Sequence, residues 1–240
     1  MPAGSFLPVV HIALHSAELS LHAHVQPVCP RGPAQTRPDK GFVACRTPHI
    51  ALSSVGWLGL RSCTLTDMLS RFDNIHAHGI RGPRVITNLD PGETIDTEPG
   101  EAWYSVGIHP WHSEDTSEAD IENVRALASD SRVAAIGEAG LDAHRGAGAE
   151  EQERIFVRQA QIAEDAGKPM IIHCVGRYGR IIELRRLLAP EQLWIIHGFR
   201  GKPELARQLV AAGFGISLGQ RYNPEVLKVV PPDRLYRETD

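Results

Sequence analysis

From Met68 onward, short apolar runs alternate with longer stretches of helical spacing. The runs are Phe72–His78, Val85–Leu89, Trp103–His109, Val133–Glu138, Pro169–Cys174, Gln192–His197, Phe214–Leu218 and Arg234–Thr239. Each is strand-length, and most are rich in Val, Ile or aromatic side chains. Ile155, Phe156, Gln159, Ile162, Ala163 and Ala166 recur at helical spacing, which predicts a helix over Glu150–Ala166 that ends at Gly167-Lys-Pro169. Tyr178–Leu188, Pro203–Ala212 and Asp120–Ser129 carry the same signal, and Pro203 and Gly213 punctuate the second of them. Strands alternating with helices predict an α/β fold with a parallel sheet, and eight strands predict a TIM-type (β/α) barrel.

The pattern is not regular. Six residues separate His78 from Val85, fewer than the dozen or so of a helical crossover, so the second strand is expected to be marginal or paired in some other way. Asp90 to Ala102 is rich in Pro, Gly and Asp and reads as a loop. No helical pattern follows the last run before Asp240. The expectation is a distorted barrel whose first quarter is thin and whose closing helix is missing, a domain truncated at its C-terminal end.

Composition sets a boundary near Met68. Residues 1–67 hold eight charged side chains against 46 in the other 173 positions, about 12% against about 27%, where globular domains average about 25%. The early segment also carries five of the twelve histidines and three of the four cysteines, without sustained periodicity. It is expected to be an unstructured or spurious extension, with the functional domain spanning 68–240. Its Cys and His spacings match no zinc-site template. No stretch approaches the roughly 18 uninterrupted apolar residues of a membrane span, and the first residues lack the basic segment of a secretory signal. Cys29, Cys45, Cys63 and Cys174 show no C-x-x-C spacing, which fits a reducing cytoplasm.

The strand runs end on groups of metal-binding type. His173 and His197 each follow an Ile-Ile pair, Phe72-Asp-Asn-Ile75 leads to His76-Ala-His78, Ala134-Ala-Ile-Gly leads to Glu138, and the last run leads to Asp240. Strand ends on one rim of a parallel barrel are where such enzymes collect their chemistry. Two residues apart on a strand, His76 and His78 face the same way and can share a cation. A carboxylate at the end of a buried strand is costly unless paired or bound to metal, so Glu138 is the candidate to bridge two ions. Four imidazoles and two carboxylates suffice for two divalent cations, with magnesium, manganese and zinc all open. Asp240 is the candidate to touch a cation and accept a proton from water. Cys174 points to the opposite side from His173 and reads as core, and Asp142 reads as a cap for the next segment.

Six segments in order resemble the TatD-type metal-dependent hydrolases of the amidohydrolase-like superfamily, in a compact subgroup. They are Asn74-Ile-His-Ala-His78, Val106-Gly-Ile-His-Pro-Trp111, Ile136-Gly-Glu-Ala-Gly-Leu-Asp142, Lys168-Pro-Met-Ile-Ile-His173, Ile196-His-Gly-Phe-Arg-Gly201 and Glu238-Thr-Asp240. The resemblance implies that His76 and His78 hold one cation, that His173 and His197 hold the other, that Glu138 bridges and that Asp240 serves as ligand and base. It also implies a substrate-facing role for His109 and phosphate contacts from Arg200. Where many members have an arginine two residues after the histidine matching His173, this chain has Val175, with Arg177 nearby. The expected activity is that of a phosphodiesterase, a deoxyribonuclease of the exonuclease type, acting as a monomer through a metal-activated water on DNA. The alternatives are a small-molecule phosphoester, ester or amide hydrolase, or an inactive fragment. Residues 68–240 carry 20 basic and 26 acidic groups, a balance that favours small substrates.

Deleting residues 1–67 is expected to leave the fold, metal content and turnover of the remaining chain unchanged. Loss of the cooperative unfolding transition on that deletion would contradict the boundary at Met68.

Overall fold

A computed structural model of the chain describes residues 68–89, 92–95 and 101–240. The expected N-terminal extension, residues 1–67, lies outside them. All eight apolar runs form strands: β1 (Asn74–Ala77), β2 (Val85–Leu89), β3 (Trp103–Val106), β4 (Val133–Asp142), β5 (Met170–Val175), β6 (Trp194–Ile196), β7 (Gly215–Leu218) and β8 (Leu235–Arg237). They pair in sequence order, every neighbouring pair parallel. The ends meet where the Thr239 amide donates to the His76 carbonyl at 3.2 Å and the Asn74 side-chain amide donates to Thr239 Oγ1 at 2.6 Å. The result is a nearly closed TIM-type barrel. Four helices cover its second half: α1 (Glu118–Leu127), α2 (Ala149–Ala166), α3 (Tyr178–Leu188) and α4 (Pro203–Ala211). Among the described residues no α-helix lies between β1 and β3, the thin first quarter, and no helix is long and apolar enough to cross a membrane.

The second strand corrects an expectation. Instead of being marginal or otherwise paired, β2 is parallel to both β1 and β3. The dozen-residue rule assumes a helix in the return, and this connection has none. A four-residue strand needs a return of about 13 Å, which seven extended residues, each reaching about 3.3 Å, exceed. The Arg84 carbonyl accepts from the Asp73 and Asn74 amides, the Arg84 guanidinium binds Asp73 through two hydrogen bonds, and Thr87 Oγ1 donates to the Ile80 carbonyl.

Strand periodicity sorts side chains into two layers. On β5, Met170, Ile172 and Cys174 face the helices, while Ile171 faces the barrel interior. On β6, Trp194 and Ile196 face outward and Ile195 inward. His173 and His197 therefore follow the interior face upward to the rim. Cys174 is buried and free, as expected of a core side chain. Outside the sheet, Trp194 makes edge-on ring contacts with Phe156 of α2 and Phe214 at centroid distances of 5.1 and 6.0 Å. Gly167 stops α2 in the left-handed conformation at φ 64°, and a Ser117–Asp120 capping box starts α1.

Strand β4 is buried along all ten residues and depends on its glycines. A Cβ at Gly140 would collide with the His173 backbone carbonyl, so β4 and β5 could not keep their spacing. Gly140→Ala should cost at least about 1–3 kcal/mol in denaturant unfolding. Gly148→Ala, where an added Cβ meets nothing within 4 Å, should change stability by less than about 1 kcal/mol. Equal effects at the two positions would contradict this packing.

Candidate metal centre

The C-terminal rim of the barrel gathers the side chains nominated from the strand ends around Glu138, which is 5% exposed. Its Oε1 lies 2.6 Å from His197 Nε2, 2.7 Å from His173 Nδ1 and 3.0 Å from His109 Nε2. Its Oε2 lies 3.3 Å from His76 Nε2 and 3.9 Å from His78 Nε2. The two carboxylate oxygens thus face separate groups of imidazoles. Asp240 Oδ1 stands on the His76 and His78 side, at 3.6 and 3.7 Å. Residues spread over 165 positions converge because their parallel strands run toward one rim, although β4 continues past Glu138 to Asp142 instead of ending there as expected. His109 belongs to the tight group with Glu138 and His173, whereas His197 groups with Glu138 and His76. The rings of His173 and His197 are 5.7 Å apart.

Glutamate 138 is held from behind. Its amide donates to Asn88 Oδ1 at 2.8 Å, and that oxygen also accepts from Ser105 Oγ. Gln159 of α2 receives the Ile108 amide and donates to the Ile108 carbonyl, which fixes the backbone just before His109. Gln152 binds Asp142 in the same two-way fashion. Asp142 corrects a second expectation. One of its oxygens accepts the His144 amide, a local turn, but the other lies 3.1 Å from His173 Nε2 and accepts the Trp111 indole N–H at 2.7 Å. It does not cap the next helix, which begins later with Gly148 at its N-cap. Asp142 instead orients His173, as a carboxylate behind a ligand imidazole does.

One group escaped the nominations. Glu238, two residues before Asp240, is 5% exposed, accepts the Gly198 amide at 2.6 Å and faces His197 Nδ1 at 3.7 Å. Its even spacing from Asp240 on an extended strand was the available signal. Arg200 is exposed and lines a separate hollow of about 190 Å³ with Arg221, Glu238 and Asp240. The main cleft, about 530 Å³, is lined by His78, His109, Trp111, Glu138, His173, His197 and Asp240 among others.

Charge and burial decide what the cluster is suited to. Burial raises the Glu138 carboxyl, but His197, with His109 and His173, outweighs it and holds Glu138 well below the ordinary carboxylate value. Burial lowers His197, but Glu138 and then Glu238 overcome it and push the imidazole up to about 10. His109 goes the other way, its burial outweighing the attraction of Glu138. The contact with His76 holds Asp240 below its usual value. His76 is fully buried, and among the described residues neither of its ring nitrogens, nor His197 Nδ1, nor Glu238 Oε2 has a hydrogen-bond partner. Buried polar atoms normally find a partner, so unsatisfied lone pairs converging on one carboxylate fit a cation better than they fit a packed core.

A family model described as TatD related DNase matches residues 84–240, which include His109, Glu138, His173, His197 and Asp240. The chain is 34% identical over 152 residues to the 3'-5' ssDNA/RNA exonuclease TatD of Musicola paradisiaca, covering 59% of this chain and 58% of that protein. It is 29% identical over 171 residues to the protein of the same description from Pantoea vagans, covering 67% and 66%. The chain thus spans less than two thirds of the length of either relative. Among solved structures it is similar to YJJV, a TatD homolog from Escherichia coli k12, with 25% identity and a TM-score of 0.50 over 57% of each chain. A hydrolase TatD family protein from Entamoeba histolytica gives 25% identity and a TM-score of 0.51 over 57% of this chain and 50% of that one.

The His197–Glu138 contact predicts how the metal-free protein responds to pH. A histidine pKa raised from 6.5 to about 10 contributes stability fully present below pH 6.5 and lost as pH rises through about 10. In chelator, the denaturant midpoint should fall across that window, and His197→Asn should flatten the fall. An identical pH dependence in the variant would contradict the coupling.

Proposed function

The chain belongs to the TatD-related DNase family, and on that premise we propose that it hydrolyses phosphodiester bonds in single-stranded nucleic acid, working inward from a strand end. The observation that carries the reading is Glu138, with one oxygen toward His109, His173 and His197 and the other toward His76 and His78. In this reading His76, His78 and Asp240 hold one divalent cation and His173 and His197 the other, with Glu138 between them. Glu238 supports His197 from behind. The pair of cations, magnesium, manganese or zinc, supplies Lewis acidity that makes a water more acidic and offsets charge on the phosphodiester.

The protein's own groups do the rest. Asp240 is held ionised and is 37% exposed, whereas Glu138 and Glu238 are buried, so it is the carboxylate that can reach a water in the cleft and take its proton. The water's oxygen forms the new bond to phosphorus as the bond to the leaving sugar oxygen breaks. His109, its pKa lowered, accepts the Trp111 amide at Nδ1 and turns Nε2 to Glu138 Oε1 at 3.0 Å, so it is a neutral group that lines the cleft beside the carboxylate. The buried, free Cys174 thiol fits a reducing compartment.

The acidic balance of residues 68–240 favours a second reading, a small phosphoester as substrate. Its force is reduced by where the cations are spent. Arg125, Arg154, Arg158 and Arg180 on the helices are ion-paired, whereas Arg145, Arg200 and Arg221, in loops at the strand C-terminal ends, have no carboxylate within ion-pair distance among the described residues. Part of the unpaired positive charge thus lies where a phosphate chain would enter, Arg186 on α3 being unpaired among the described residues as well.

Asp240→Asn should lower kcat on single-stranded DNA by roughly 10²- to 10⁴-fold with little change in KM and only partial loss of metal, measured beside the metal content of each preparation. Undiminished kcat would remove Asp240 as the base. Turnover of a small phosphoester but not of single strands would favour the second reading.

A further inference from the structure

We propose that Trp111 and Arg145 form a stacking platform for the nucleobase next to the phosphodiester in the cleft, an inference that rests on the nucleic-acid reading above. Of the large apolar side chains exposed among the described residues, Trp111 alone is aromatic, at 42% exposure. It is exposed but not loose. Its indole N–H is tied to Asp142 Oδ2 at 2.7 Å, and its ring packs edge-on against His109 and His173 at centroid distances of 4.6 and 5.8 Å. The side chain therefore lines the cleft in a fixed orientation, in ring contact with two of the imidazoles around Glu138 and joined to His173 through Asp142 Oδ2.

Arg145, in the loop after β4, lays its guanidinium 3.5 Å from the centre of the Trp111 ring. That is stacking distance, and this ring is the one partner the Arg145 side chain has among the described residues, its backbone carbonyl accepting from Gln152. A surface arginine is usually drawn to a carboxylate, as Arg154 and Arg180 are here. Arg145 keeps its N–H groups uncommitted while its guanidinium rests over the indole ring.

A planar aromatic and a planar cation in contact offer two things together: a flat face, and N–H donors at its edge. A nucleotide presents the complement, a flat base one sugar away from a diester oxygen. Every base has a π-face, so the platform would tolerate any sequence, as exonucleolytic degradation requires. Because Trp111 and Arg145 are already ordered against each other, little rotamer freedom is lost when a base arrives. Small phosphoesters without a base gain nothing from it. The platform therefore selects nucleotides over other phosphate esters in the same cleft.

The test compares the full chain with Arg145→Ala, Arg145→Lys and Trp111→Leu on two strands of equal length. One is oligothymidylate and the other carries abasic residues at its 3' end. Binding is measured by fluorescence anisotropy in chelator, and turnover in Mn²⁺. For oligothymidylate, Arg145→Ala and Trp111→Leu should weaken binding and raise KM roughly 5- to 100-fold with a smaller change in kcat; on the abasic strand the Arg145 variants should match the parent, and Trp111→Leu, which also frees Asp142, should lose less than it does on oligothymidylate. Arg145→Lys, which keeps charge and loses the planar stack, should resemble Arg145→Ala. Equal losses on both strands would show a role in phosphate contact or in positioning His173 through Asp142, and would overturn the platform, as would unchanged binding in every variant. If the parent protein binds in this base-dependent way yet turns over neither strand, the platform stands and the nuclease reading falls.

Discussion

Burying an ionised carboxylate costs several kcal/mol unless the surroundings return it, and Glu138 is buried within the longest strand of the barrel. What returns it here is a shell of five imidazoles within 3.9 Å, contributed by β1, the loop after β3, β5 and the residue after β6. Each imidazole is useful to Glu138 only if its own strand ends at the right height. The parallel, in-order pairing of eight strands meets that condition, since it puts every strand end on one rim. The same arrangement leaves His76 and His197 with unsatisfied nitrogens, so what compensates the carboxylate also prepares a place for positive charge.

Rigidity around this cluster comes from buried amides. Asn88 grips the Glu138 backbone, Gln159 grips Ile108 and Gln152 grips Asp142. Two of these three lie on α2, so one helix locks the loop that carries His109 and the end of β4 that carries Asp142. A hydrogen bond inside a protein is worth only about 1 kcal/mol net, but leaving a buried partner unsatisfied costs more. These glutamines are therefore better understood as setting position than as adding stability. Asp142 extends the pattern outward, joining His173 to Trp111 through one oxygen.

Much of this was legible in the sequence because period-two and period-3.6 patterns report which face a residue occupies. All eight strands, the four helices to within two residues at either end, and the strand-end groups His76, His78, Glu138, His173, His197 and Asp240 follow from such patterns. What the patterns cannot report is which buried polar group meets which. Glu238 reads as one more charged residue near a strand end until the Gly198 amide and His197 are seen beside it. Asp142 looks like a cap because its nearest sequence neighbours form a turn, while its decisive partners are 31 positions away. Gln159 was recognised as part of an apolar helix face, but its bond to Ile108, 51 positions distant, has no local signature. The β1–β2 return departs from the length rule because that rule describes helical crossovers, whereas a four-residue strand needs only a short extended return.

The central claim is that Glu138 stands between two cations. Titrating the chelated full-length protein with Mn²⁺ and recording electron paramagnetic resonance spectra tests it directly. The account predicts uptake of two ions per chain with the spin coupling of a bridged pair, and loss of that coupling in Glu138→Gln while some Mn²⁺ is still bound. Uptake of a single uncoupled ion, or coupling that survives Glu138→Gln unchanged, would contradict it.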